Sequence, residues 1–155
     1  MTLVLCFWVI LISGAAKASP DYLTPEGAKA YMQEYFMQWN GRATSGGATA
    51  ENVNALMKQF YTNTTEVHVP AFNLHIPGSE FPDKFVKFYL SQKGIHDLIS
   101  VAVNGGEVTA VFAYYVLPQA PALKPEGVVV QKKIWQGKYI ISNEQIVSMT
   151  FEPLP

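Results

Sequence analysis

The sequence predicts an α+β protein, with three helices in its first part and four antiparallel strands in its second. Three observations carry this. Apolar residues between Thr24 and Phe60 recur at helical spacing, a β-branched stretch from Glu66 to Ile76 alternates in character, and everything from Ile95 onward reads as strand. Three helices laid on one face of a curved, mainly antiparallel sheet enclose a cone whose open end admits a ligand.

Thr24-Pro25-Glu26 opens the first helix with a hydroxyl cap, a proline at the first helical position and an acid near the positive end of the helix. Tyr31, Met32, Tyr35, Phe36 and Trp39 form its apolar stripe, and "NGRATSGGAT" ends it. Thr49 caps a second helix, where Val53, Leu56, Met57 and Phe60 fall at i, i+3, i+4 and i+7. In the strand from Glu66 to Ile76, Val67, Val69 and Ala71 share one side, with Glu66, His68 and Pro70 on the other. "FPDKFVKFYLSQKG" predicts a third helix, with Pro82 and Asp83 in its first turn, Phe85, Phe88 and Tyr89 on one face and Gly94 as its stop. Asn104-Gly105 marks a hairpin, "PQAPALKPEG" is a proline-rich connection, and "VVVQKKIWQGKYIISNEQIVSMTF" supplies two more strands expected to turn at Gln136-Gly137.

The opening stretch, "MTLVLCFWVILISGAAKA", has a short apolar core, Leu3 to Ile12, and small residues before Ser19. That layout predicts a secretory signal peptide, residues 1–18, ahead of one domain, residues 19–155. The apolar run is too short for a bilayer, which needs ~20 residues, so no membrane association is expected after cleavage. The only cysteine, Cys6, leaves with the signal, and an extracellular form is held by packing without a disulfide. Ten Lys and Arg then face twelve Asp and Glu, with Arg42 the lone arginine. A mildly acidic chain of this kind excludes nucleic acid as an expected partner. Asn63-Thr64-Thr65 is the one glycosylation sequon, placed in a polar turn between helix and strand.

"MKQFYTNTTEVHVP", the helix ending "KFYL" and the final "KKIWQGKYIISNEQIV" hairpin resemble the NTF2-like α+β cone proteins, and among them the SnoaL-like and ketosteroid-isomerase-like members. The resemblance covers nearly all of residues 19–155 and implies a pocket inside the cone. It matches the isomerases' oxyanion-binding helix tyrosine to Tyr35, and the tyrosines that hydrogen-bond to it to Tyr61 and Tyr89. It puts Val69 where those enzymes keep the aspartate base, and Gln131 near their second, neutral aspartate. Valine cannot accept a proton, so the resemblance points away from isomerase chemistry.

Pocket residues are therefore expected to be Tyr35, Tyr61, Val67, Val69, Phe85, Tyr89 and Gln131. Strand alternation turns His68 away from the side that Val67 and Val69 line. His75 and Glu80 fall between strand and third helix, at the mouth of the cone. With His68 they lack a tight ligand spacing, so no metal and no cofactor is expected. The reading is a secreted, non-catalytic domain that binds a small, largely apolar molecule. Two alternatives stand beside it: an enzyme of the same fold with His75 or Glu80 as its base, and an interaction module. The module would homodimerise through the outer sheet face, with Lys132, Lys133 and Trp135 in one strand.

Overall fold

The computed structural model describes residues 21–44, 49–91, 94–116 and 132–155. The expected signal peptide, the glycine-rich residues 45–48 and the proline-rich connection, with Gln131 at its end, lie outside the described residues. Two helices come first, α1 (Pro25–Thr44) and α2 (Ala50–Phe60), followed by β1 (Tyr61–Val69), a 3₁₀ turn (Pro70–Phe72) and β2 (Leu74–Ile76). Then come α3 (Phe81–Ser91), β3 (Gly94–Asn104), β4 (Glu107–Val116), β5 (Lys133–Ser142) and β6 (Gln145–Pro153). The sheet order is β2-β1-β6-β5-β4-β3, with β1 and β6 parallel and every other pair antiparallel.

Local chemistry sets the helix ends. The Thr24 hydroxyl accepts from the Gly27 amide at 3.1 Å, and the Thr49 hydroxyl accepts from Asn52 at 3.2 Å. Both caps satisfy amides that the first turn leaves without partners. The stripes read from sequence are the buried faces: Tyr31, Met32, Tyr35, Phe36 and Trp39 on α1, and Val53, Leu56, Met57 and Phe60 on α2. α1 packs most extensively on β3, while α2 and α3 pack on each other beside it.

The strand expected from Glu66 to Ile76 is two strands. β1 starts at Tyr61, directly after α2, and stops where Pro70 cannot donate to a ladder. Asn73, left-handed at φ 46°, then reverses the chain into β2. The sequon lies inside β1 rather than in a separate turn. Between Tyr61 and Glu66 the strand bulges away from β6, and threonine hydroxyls take over the bonding: Thr62 N donates to Thr65 Oγ1 at 3.0 Å, and Thr65 Oγ1 donates to the Ile146 carbonyl at 2.6 Å. Asn63 is exposed on this excursion.

The expected turn at Gln136-Gly137 is also corrected. Both residues lie within β5, and the β5–β6 hairpin turns at Asn143-Glu144, each at positive φ. Gly137 is needed for space: a Cβ there would stand 2.6 Å from the Tyr139 hydroxyl, which folds back over it. Gly94 repeats the device. It opens β3 rather than stopping α3, and the Tyr114 ring occupies the position of its missing side chain. The Asn104-Gly105 signal does mark a hairpin, with Gly105 and Gly106 in left-handed conformation as its two central residues.

Three register shifts, in β1, in β3 between Leu98 and Ser100, and between Ile140 and Ile141, fall in a sheet that curves around the helices. Buried against its concave face, the Tyr35 hydroxyl lies 2.6 Å from that of Tyr61 and ties α1 to β1. Tyr35→Phe or Tyr61→Phe strands the surviving hydroxyl and should each lower unfolding free energy by about 1–3 kcal/mol in urea melts. The double variant should lose clearly less than the two single losses together. Additive losses would show that the hydroxyls act independently.

Candidate functional site

The concave face holds a cavity of about 280 Å³. α1 contributes Tyr35, Phe36 and Trp39, β1 contributes Val67 and Val69, and α3 contributes Phe85, Phe88 and Tyr89. Alternation along each strand brings the rest: Leu74 and Ile76 from β2, His96 from β3, Phe112 and Tyr114 from β4, Trp135 and Tyr139 from β5, and Phe151 from β6. The wall is aromatic and aliphatic, and among its described residues none carries a carboxylate. Lys84 and His96 are its titratable groups besides tyrosine.

Of the expected pocket residues, Tyr35, Val67, Val69, Phe85 and Tyr89 line the cavity. Tyr61 stands behind it, bonded to Tyr35 and packed edge-on against Phe81 at 5.1 Å. Tyr89 donates to the Trp39 carbonyl, one helical turn beyond Tyr35. Burial raises the hydroxyl pKa of both Tyr35 and Tyr61, and the two phenols remain neutral donors and acceptors.

Five polar atoms of this wall are buried without a partner among the described residues: Trp39 Nε1, His96 Nδ1, Tyr114 Oη, Trp135 Nε1 and Tyr139 Oη. Indole nitrogens only donate, phenols do both, and a neutral imidazole nitrogen does one or the other. A cavity so lined is apolar in area yet can offer hydrogen bonds to a ligand's polar end.

His96 is a wall residue that the sequence does not single out. Asn40 pins its backbone, donating to the His96 carbonyl at 2.7 Å and accepting from its amide at 2.8 Å. The ring stacks on Phe36 at 5.2 Å and tilts against Phe112 and Tyr114. Desolvation lowers its pKa from 6.5 to about 4, so the ring is neutral near pH 7. The available signal was its place two residues into a strand, with Asn40 one turn after Phe36 to hold it.

His75 and Glu80, the expected bases at the mouth, do not line the cavity: His75 is half-exposed, and Glu80 pairs with Lys84 at 2.5 Å. Trp135 is turned inward, so it does not share an outer surface with Lys132; both lysines, Lys132 and Lys133, are exposed. His68 faces away from the cavity as expected, but its setting differs from the expectation. β1 and β2 pair His68 directly with His75, and Glu66 joins them where Glu80 was expected. The statement that no two of these groups lie at ligand spacing holds along the sequence and fails across the strands.

No family model matches this sequence, and no curated protein matches it. Solved structures do. The epoxide hydrolase/cyclase-like enzyme SalBIII, described in pyran ring formation in the polyether salinomycin, superposes with a TM-score of 0.61 at 14% identity, over 85% of this chain and 94% of that one. An NTF2-like protein of unknown function from Cytophaga hutchinsonii gives 0.52 at 12% identity, over 79% and 89%. A protein with a ketosteroid isomerase-like fold from Catenulispora acidiphila, in complex with trimethylamine, gives 0.52 at 16% identity, over 76% and 83%. At such identities the likeness concerns the fold. The chain has the NTF2-like α+β cone fold, three helices packed on a curved, mixed six-stranded sheet.

Proposed function

We propose that this is a secreted, non-catalytic NTF2-like domain that binds a small, largely apolar molecule in its cone. One observation carries the reading: an aromatic and aliphatic cavity of about 280 Å³ with no carboxylate among its described lining residues. Affinity in such a site comes from apolar area removed from water, about 25 cal/mol per Å² before ordering costs. The volume sits at the small end of ligand pockets, which run from about 300 Å³ upward. The two indole donors favour a ligand whose polar end accepts hydrogen bonds.

Both tryptophans of residues 19–155 line the cavity, so their emission reports occupancy. Small apolar ketones and esters should shift that emission saturably, and Val69→Phe, which fills the wall beside Val67 without adding an indole, should weaken them at least tenfold while the fold survives. A panel that leaves the emission unchanged would remove the binding reading. The extracellular part rests on residues 1–18 and on the exposure of Asn63. Secreted material should begin at Ser19, and Asn63→Gln should abolish an endoglycosidase mobility shift. Protein that keeps Met1 in a membrane fraction would refute secretion.

A second reading, an enzyme of this fold, is favoured by His96 Nδ1, a cavity nitrogen on a neutral ring without a partner among the described residues. It would replace His75 and Glu80 as the proton acceptor. The folded pKa is depressed, so the stability linked to His96 is present in full above pH 6.5 and is lost as pH falls toward about 4. Unfolding free energy should therefore drop across that window in the wild type and drop less in His96→Phe, measured in urea from pH 7 to 4. Proton exchange from a bound apolar ketone that persists down to about pH 4 in the wild type and vanishes in His96→Phe would establish the enzyme. Its absence in both would leave the binding reading standing.

A further inference from the structure

The outer face of the β1–β2 edge carries a second constellation, independent of the cavity. Val67 and Val69 point inward and pair with Ile76 and Leu74, so the intervening pair, His68 and His75, projects from the opposite face. Glu66, two residues before His68, shares that face. The two imidazoles stack at 4.3 Å and 11°. Both Nε2 atoms converge on one carboxylate oxygen, Glu66 Oε2, at 3.5 Å for His68 and 3.8 Å for His75. One ligand atom from each residue can be chosen so that all three lie within 4.8 Å of one another.

These separations are too long for good hydrogen bonds. They are close to what a shared metal requires: bonds of ~2.0–2.1 Å at tetrahedral angles put neighbouring ligand atoms about 3.4 Å apart. Small rotations of exposed side chains close the remainder. Two neutral imidazole nitrogens and one carboxylate oxygen form a donor set for Zn²⁺ and similar divalent transition ions, while Ca²⁺ and Mg²⁺ take oxygen ligands. Half-exposure leaves room for water in the remaining position. Across the same face, Ser148 and Thr150 on β6 flank Glu66 and His68, and the nearest cation on this register, Lys138, pairs with Thr150. Two strand spacings, about 10 Å, separate it from His68.

We infer that Glu66, His68 and His75 form a surface site for a divalent transition-metal ion, with zinc as its best-matched occupant. The ion joins β2, a three-residue edge strand, to β1. Binding to the folded chain then stabilises it in proportion to occupancy.

The test uses zinc chloride alone as the probe, on the whole protein, by calorimetric titration and thermal unfolding. One equivalent of zinc should bind at micromolar affinity and raise Tm, magnesium and calcium should do neither, and the ring protons of His68 and His75 should shift together. His68→Ala and His75→Ala should each weaken zinc at least tenfold, and Glu66→Gln should weaken it while keeping the shape of the side chain. All three positions are exposed or half-buried, and circular dichroism of each variant before titration separates lost binding from lost fold. Absence of zinc binding to the wild type, or unchanged zinc affinity in the folded His68→Ala/His75→Ala double variant, would overturn the site.

Discussion

Tyr35 is where the helices and the sheet meet, and the cone depends on that junction. Its ring contacts Phe36 and Trp39 on its own helix, Phe60 at the end of α2, Tyr61 at the start of β1 and Tyr139 on β5, with centroids between 5.0 and 6.5 Å. Most of these are edge or tilted contacts, the geometry in which one ring's positive rim meets another's negative face. The hydroxyl, which burial would otherwise penalise, finds its partner in Tyr61. A chain without a disulfide in residues 19–155 is held at this point by ring packing and one buried hydrogen bond.

The same junction decides what is left open. α1 fills the concave face with its larger side chains, and the cavity is the space beyond them, bounded by Val67, Val69 and the α3 aromatics. Packing there is limited by shape. Gly94 and Gly137 let Tyr114 and Tyr139 lie against the sheet, and the two phenol oxygens are buried without partners among the described residues. An unsatisfied buried polar group costs about 1–3 kcal/mol, so five of them clustered on one cavity are costly as pure core. Most buried polar groups in folded chains are satisfied, and the binding proposal supplies these with a partner.

The helical half was legible because its signals are local. Capping hydroxyls and 3.6-residue periodicity place α1 and α2, and they name the buried residues correctly down to Trp39 and Phe60. The strands were legible as a class but not in their turns. Gly137 resembles a turn glycine, yet it is required by a ring two residues away, and the true hairpin sits at Asn143-Glu144, where no glycine announces it. On the site, Val67, Val69, Phe85, Tyr35 and Tyr89 followed from alternation and resemblance, whereas His96 and Trp135 depend on which face of β3 and β5 turns inward. For His96 that orientation is set by the bulge between Leu98 and Ser100, which adds a residue to β3 and exchanges the faces beyond it, and nothing in the sequence marks where it falls. Trp135 follows Tyr139 by alternation along β5, which is hidden as long as Gln136-Gly137 is read as a turn.

β1 shows how one register can hold two surfaces of different chemistry. Because side chains alternate, a slip of one residue would send Glu66 and His68 into the apolar cavity and expose Val67 and Val69. Burying an unpaired carboxylate costs several kcal/mol, so the inward valines fix the strand against such a slip. The outward pair is then placed by the register that the inward residues choose: Val67 opposite Ile76 and Val69 opposite Leu74 leave His75 as the residue of β2 that faces His68. Seven positions separate the two histidines along the chain, and a proline, a 3₁₀ turn and one left-handed asparagine bring them ring to ring. The apolar wall of the cone therefore specifies the polar constellation on its back, although the two share no side chain.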